Sequence, residues 1–289
     1  MLIRPYKVSD VRDYFIGAKN HDYATTTDKT GVKCIELIGA SFLADEPAIF
    51  GTPNVEYIQA EIAWYLSQSL NIEDIYGKHS GKEPPAAWKY AASDRGYIHS
   101  NYGYLVGHEE NGSQYSHVLG ELKQSPDSRR AVMIYQRPSI WSEYHIDGCN
   151  DFICTNSVAY YIRNGKLHCS VSMRSNDVIY GYKNDYAWQQ YVLQQLSNDL
   201  DVEPGKMIWQ VQNLHVYEKH FDLVTPKFEE YDGMSHANTM WKIKAEAMIN
   251  ENEGWKTQVE DTLKQQQLGQ QGNIGGFQDL YAKCDGGRK

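Results

Sequence analysis

The sequence predicts an α+β domain, and three observations carry that reading. Asn164-Gly165 separates two β-like runs, SVAYYIR and KLHCSVSMR, and Asn-Gly in that setting is the strongest short-range signal for a tight hairpin. Stretches of helical periodicity around 54–70, 113–123 and 185–200 alternate with strand-like runs. Their order is mixed and does not repeat the βαβ unit of a doubly wound sheet.

Taken in order, residues 1–20 are mixed and polar, and TTTDKTGV (25–32) reads as a polar loop entering a strand-like run, CIELIGASFLA. Asn54, after Pro53, is placed to N-cap a helix in which Ile58, Ile62 and Tyr65 recur on one face. YGKHSGKEPPA (76–86) is a turn-rich connection. SQYSHVLGELK aligns Tyr115, Val118, Leu119 and Leu122 on one helical side and ends near Pro126. VMIYQ (132–136) and MIWQV (207–211) read as short strands on either side of the hairpin and of a helix at 185–200, whose stripe is Trp188, Val192 and Leu196. Beyond about Pro226 the texture changes, and QQQLGQQGNIGG (265–276) has no apolar periodicity. The organisation expected is one domain over 1–225 and a partly flexible C-terminal extension over 226–289.

With 28 Lys+Arg against 37 Asp+Glu among 289 residues, the formal charge is −9. That argues against a duplex-coating protein, which gains affinity by neutralising phosphates with clustered cations. It leaves room for a small anionic ligand held by a few local cations. No apolar run approaches the roughly 20 residues that span a bilayer, and MLIRPYKVSD lacks a signal-peptide core, so a soluble, cytoplasmic protein with no membrane partner is expected. Five cysteines without CxxC pairs fit a reduced compartment.

Common catalytic strings are missing: there is no GxGxxG, Walker loop, HExxH or GxSxG. His215 and His220 are spaced five apart, which is poor for one helical face, and no metal site is expected. Three stretches stand out. PDSRR (126–130) puts two arginines between a helix and a strand, where a solvated loop pair is the bland reading; both can meet one anion only if the backbone turns there. DFICTN (151–156) sets Cys154 at the head of a β-like run, where a small core residue is commoner than a nucleophile. MRSNDVIYGYKNDYAW (173–188) is the third.

Together with DKTG (28–31), AEIAWYLSQSLNI (60–72), NYG (101–103) and LHVYEKH (214–220), these stretches resemble the thymidylate synthase superfamily, most closely its phage-type deoxycytidylate (dCMP) hydroxymethylases, over roughly residues 24–225. The resemblance implies a large mixed β-sheet flanked by helices and a homodimer formed by packing sheets back to back. It implies Cys154 as nucleophile, Arg174 and Ser175 as phosphate ligands, and Arg129 and Arg130 as a pair reaching the partner's phosphate site. Lys29 takes the place of a phosphate-binding arginine, keeping charge but losing the bidentate fork. Glu61 matches a carboxylate that organises water and proton transfer, Tyr102 a tyrosine near the departing C5 proton, and His215 with Tyr217 a pair that binds the sugar 3′-hydroxyl. Asp177 and Trp88 match folate-side positions.

The implied chemistry explains these residue types. Pyrimidine C5 becomes nucleophilic once a thiolate adds at C6, and a thiolate can later leave. Arg174 beside the thiol would favour its ionised form. The implied co-substrate is 5,10-methylenetetrahydrofolate, without metal, and water addition rather than hydride delivery gives a hydroxymethyl group. Asp185 stands eight residues after Asp177, where the synthases place asparagine. A carboxylate accepts from the cytosine amino group, which favours dCMP over dUMP. The alternative for Asp185, the N-cap of the following helix, is compatible with that role. Thr155 replaces the synthases' histidine, and Asp151 falls where they carry an apolar residue beside the folate, so a more polar wall is expected to admit the attacking water.

The expected function is therefore a dCMP hydroxymethylase, supplying 5-hydroxymethyl-dCMP for modified DNA in a virus-infected bacterial cytoplasm. A dUMP or CMP hydroxymethylase, a methylating relative, and a non-catalytic nucleotide-binding scaffold in a viral nucleotide-synthesis complex are the competing readings. The tail after 226 is where a partner would attach.

Overall fold

The computed structural model describes residues 6–20, 25–28, 31–77, 80–226 and 264. Lys29, Cys284 and, apart from Pro226 and Lys264, the whole extension expected over 226–289 lie outside the described residues.

The strands are β1 (Thr26–Thr27), β2 (Lys33–Leu43), β3 (Val132–Ile134), β4 (Thr155–Arg163), β5 (Lys166–Met173), β6 (Asn176–Asp177) and β7 (Glu203–Tyr217). The α-helices are α1 (Val8–Asn20), α2 (Val55–Ser67), α3 (Ala86–Ala91), α4 (Tyr102–Gly107), α5 (Gln114–Gln124), α6 (Ile140–Glu143) and α7 (Gly181–Leu200). The strands form one sheet in the order β1-β2-β7-β5-β4-β3, with β6 also pairing β7. It is mixed: β5 and β6 run parallel to β7, while the other pairs are antiparallel. Parallel neighbours need a crossover, and α7 supplies it between β5 and β7. The α+β expectation, with a mixed sheet flanked by helices, holds.

Local signals act where the sequence placed them. Asn164 (φ 53°) and Gly165 (φ 72°) both sit in the left-handed region that a two-residue hairpin of this kind demands. Asn54 caps α2 by accepting from the Tyr57 N–H at 3.1 Å. The predicted stripes of α2, α5 and α7 are buried.

Four local readings need correction. The polar N-terminal stretch contains α1, whose Val8, Val11 and Phe15 are buried and whose buried Arg12 reaches Glu46 at 2.7 Å. Val8, Val11, Phe15 and Ala18 do stand at helical spacing in α1, a period that the reading of this stretch as merely polar passed over. Helix α4 has six residues and is too short to show one. MIWQV is the middle of the 15-residue β7, because the pairing continues on both sides of it, with β5 through Glu203 and Pro204 and with β2 out to Tyr217. Helix α7 begins at Gly181, so Asp185 lies inside its first turns and does not cap it. Asp177 Oδ1 instead receives the N–H groups of Ile179, Tyr180 and Gly181, at 2.9, 2.6 and 3.3 Å.

The core lies on the face of the sheet that α7 covers. Leu167, Cys169, Val171 and Met173 of β5 alternate inward and are buried, while His168, Ser170 and Ser172 point to the opposite face. Trp188, Val192 and Leu196 of α7 belong to the same core. No helix among the described residues is long and apolar enough to cross a membrane.

Candidate active site

Cys154 immediately precedes β4, and Arg174 immediately follows β5. The hairpin sets them opposite each other, but only because its ladder shifts register between Thr155 and Ser157. Continued without that bulge from the Ser157–Ser172 pair, the ladder would face Cys154 with Ser175. Instead the Arg174 N–H donates to the Cys154 carbonyl at 2.9 Å. A bulge at the end of a strand re-aims side chains in this way. The Arg174 Nη2 then stands 3.5 Å from the Cys154 Sγ. The guanidinium is fixed from behind by the carbonyls of Ile153 (2.9 Å) and Phe152, and lies over the Phe152 ring with 4.8 Å to its centroid.

These residues open onto a cleft of about 710 Å³, lined also by Ser175, Asn176, Asp177, Asp185, His215 and Tyr217, with Trp141, Tyr144 and Phe152 as an aromatic wall. Thus Cys154, Arg174, Ser175, Asp177, Asp185, His215 and Tyr217, seven of the residues singled out from sequence, meet in one cavity. His215 and Tyr217 come from β7, two positions apart and so on the same face, with ring centroids 4.9 Å apart.

Burial sets the protonation of the acidic groups. The Cys154 thiol is pushed up to about 11 by desolvation, with Arg174 pulling it down and the charges of Asp185 and Asp151 pushing it up. Arg174 favours the thiolate, but desolvation outweighs it. Asp185 is raised to about 8 by desolvation and by the charge of Glu61, against the pull of hydrogen bonds from Asn176 and Tyr102. Asn176 donates to Asp185 Oδ2 at 2.7 Å, and Trp209 Nε1 donates to the Asn176 carbonyl oxygen at 3.3 Å. An indole is a donor only, so this contact fixes which end of the Asn176 amide faces Asp185.

A second group lies beside the cleft. Glu61 is 5% exposed and raised to about 7 by desolvation, with hydrogen bonds from Tyr57 and Trp88 acting in the opposite direction. Trp88 is half-buried away from the cleft lining, its indole N–H directed at Tyr57 (2.8 Å) and Glu61 (3.2 Å). Tyr102 is buried and meets the Thr155 hydroxyl at 3.0 Å.

Asp151 sits behind the cleft rather than on its wall. Its carboxylate accepts from the backbone of His99 (2.6 Å) and Ser100 (2.7 Å) and from the Ser100 hydroxyl (2.8 Å). These bonds tie the lead-in to α4, and thereby Tyr102, to the nucleophile's segment. Arg129 and Arg130 are exposed on the turn after α5, outside this chain's own cleft, and Arg130 pairs with Glu121 at 3.0 Å. A turn closed by the Ser128 N–H on the Ser125 carbonyl, at 2.9 Å, precedes the two arginines.

Sequence reasoning missed the supporting residues. Asn176 lay in plain view inside MRSND, but nothing local marked it as a partner of Asp185. Trp209 reads as an ordinary strand aromatic, and Trp141 and Tyr144 lie in a stretch without periodicity. Among the described residues no group of three or more His, Cys, Asp or Glu side chains is arranged to hold a metal ion.

The site thus pairs a cysteine with an arginine at the open end of a hairpin, with the Asp185 carboxylate in the same cleft. The family model described as thymidylate synthase matches residues 19–262. The chain belongs to the thymidylate synthase family. Within that family it is 51% identical, over 216 residues, to the deoxycytidylate 5-hydroxymethyltransferases of Enterobacteria phages T4, T2 and T6, covering 72% of this chain and 85% of each relative. Among solved structures, the crystal structure of thymidylate synthase from T4 phage superposes with a TM-score of 0.61 at 22% identity, over 75% of this chain and 82% of that one. That likeness shows the shared fold.

Proposed function

We propose that this member of the thymidylate synthase family is a deoxycytidylate 5-hydroxymethyltransferase, converting dCMP to 5-hydroxymethyl-dCMP with 5,10-methylenetetrahydrofolate and water. The observation that carries the choice of base is Asp185, a carboxylate in the cleft beside Cys154, held by Asn176. A carboxyl group raised to about 8 can share a proton with cytosine N3 while its other oxygen accepts from the amino group. Phage relatives named for that activity, at 51% identity, support the same reading and an infected bacterial cytoplasm as its setting.

In this reading the cation Arg174 and the hydroxyl of Ser175 take the nucleotide phosphate, and His215 with Tyr217 takes the sugar hydroxyl. Arg174 already spends Nε and Nη2 on backbone carbonyls, so further cations from Lys29 and from Arg129 and Arg130 of a second copy would complete the phosphate site. The sheet face carrying Ser170 and Ser172 would be the dimer contact. The Cys154 thiolate adds to C6, which makes C5 nucleophilic. Tyr102 stands near the C5 proton that leaves, and Glu61 orders the water. When bound, the folate supplies a one-carbon unit at the oxidation level of formaldehyde. The Oδ2 of Asp177 is buried without a hydrogen-bond partner among the described residues, an acceptor suited to an N–H of that co-substrate.

The test is incubation with dCMP, CMP and dUMP plus the folate, followed by mass identification of products. Hydroxymethyl-dCMP with tetrahydrofolate is the expected result. Formation of dihydrofolate, seen as an absorbance rise, would show methylation instead. Absence of tritium release from C5-labelled dCMP, with nucleotide binding intact, would indicate a scaffold.

A further inference from the structure

The handling of Glu61 points to a residue that the motif comparison did not assign. Tyr57 stands four positions before Glu61 on α2, one turn away on the same face. Its hydroxyl lies 2.5 Å from Glu61 Oε1 and 2.8 Å from Trp88 Nε1. The indole N–H can only donate, so the Tyr57 oxygen is the acceptor there and its own hydrogen must go to Glu61. Trp88 Nε1 also reaches Oε1, at 3.2 Å. Both contacts therefore fall on one carboxylate oxygen, and Oε2 makes no hydrogen bond to a described residue.

We propose that Tyr57 is a positioning residue for Glu61, its hydroxyl pinning Oε1 so that Oε2 is the oxygen offered to water at the reacting base. The functional half of this inference rests on the one-carbon transfer proposed above. A hydrogen bond to the ionised form stabilises it, so Tyr57 also keeps a buried carboxyl from rising further out of the neutral range. The titratable or polar groups facing Glu61 are Tyr57 and Tyr65 of its own helix, Asp185 from α7 and Trp88 from α3. None of them brings a positive charge. The phenol and indole hydrogen bonds are thus the interactions favouring the carboxylate against burial.

The experiment compares wild type with Tyr57→Phe, Glu61→Gln, the double variant and Trp88→Phe, each checked for folding by circular dichroism. Protein labelled with 13C at the glutamate carboxyl is titrated by NMR, with Glu61 assigned from its loss in Glu61→Gln. In Tyr57→Phe the Glu61 midpoint should rise by about one pH unit, a tenfold change in its acid constant. Under the hydroxymethylase assay, kcat should fall about 10-fold with KM for dCMP unchanged, and the double variant should be no slower than Glu61→Gln alone. Trp88→Phe, which frees the Tyr57 hydroxyl to rotate, should move the midpoint in the same direction by less. An unmoved midpoint in Tyr57→Phe, or multiplicative losses in the double variant, would overturn the proposal. The NMR titration reads Tyr57 even where no product forms, so failure of the activity and failure of this inference remain separable.

Discussion

Asn176 Nδ2 lies 2.7 Å from Asp185 Oδ2, and Trp209 holds the other end of that amide. A donor locked in this orientation fixes the carboxyl group, which Tyr102 also reaches, where it lines the cleft. In an Asp185→Asn protein, Asn176 would draw the new carbonyl oxygen towards itself and turn the new NH2 outward, where it matches uracil O4. The ratio of kcat/KM for dCMP over dUMP should then fall by about 100-fold or more. Steady-state kinetics with both nucleotides measures this, and an unchanged ratio would remove Asp185 from base recognition.

Asp185 and Glu61 also make stability depend on pH. Both are raised above ordinary carboxyl values, to about 8 and about 7, chiefly by desolvation. Between about pH 4 and 8 the folded protein therefore binds more protons than the unfolded chain, and its stability declines as pH rises through that window. Urea unfolding of the ligand-free protein should show this slope. Asp185→Asn should flatten it, with the gain in stability largest at the alkaline end of the window. A slope of the opposite sign in wild type would refute the assignment.

The thiol of Cys154, raised to about 11, should be slow to alkylate at neutral pH in the absence of nucleotide. Its iodoacetamide rate should keep climbing beyond pH 9, and Arg174→Gln should shift the curve further up by removing the charge 3.5 Å away. Rapid modification of Cys154 at pH 7 would contradict the burial argument. Cys154→Ala should abolish turnover while calorimetry still detects nucleotide binding.

Gly103 follows Tyr102 at the start of α4, where a Cβ would sit 1.9 Å from the Tyr65 carbonyl oxygen. Backbone cannot yield as a flexible side chain can. Gly103→Ala should lose roughly 3 kcal/mol or more, read as a lowered urea midpoint, with activity failing alongside as Tyr102 is displaced. A variant as stable as wild type would mean that α2 and α4 do not pack this closely.

Much of the site was legible because its motifs are local. FICTN, MRSND and NYG each carry their functional side chains within a few residues, and Asn164-Gly165 announces the hairpin that joins the first two. Trp88 could be matched to a position but not to its partners, since Tyr57 and Glu61 reach it from another helix. Asp151 looked like a polar wall because the identity of a residue does not reveal where its carboxylate is already engaged.

By itself, the sequence determined the α+β class, the hairpin, the apolar stripes of α2, α5 and α7, and the residue types gathered for nucleotide chemistry. These follow from backbone preference and periodicity, which act over short stretches. Only the tertiary structure decided that a one-residue bulge brings Arg174 rather than Ser175 opposite Cys154. It also decided that burial holds Glu61, Asp185 and Cys154 closer to their neutral forms than their types suggest. Register and desolvation depend on which distant segments close around a group, and no local pattern encodes that.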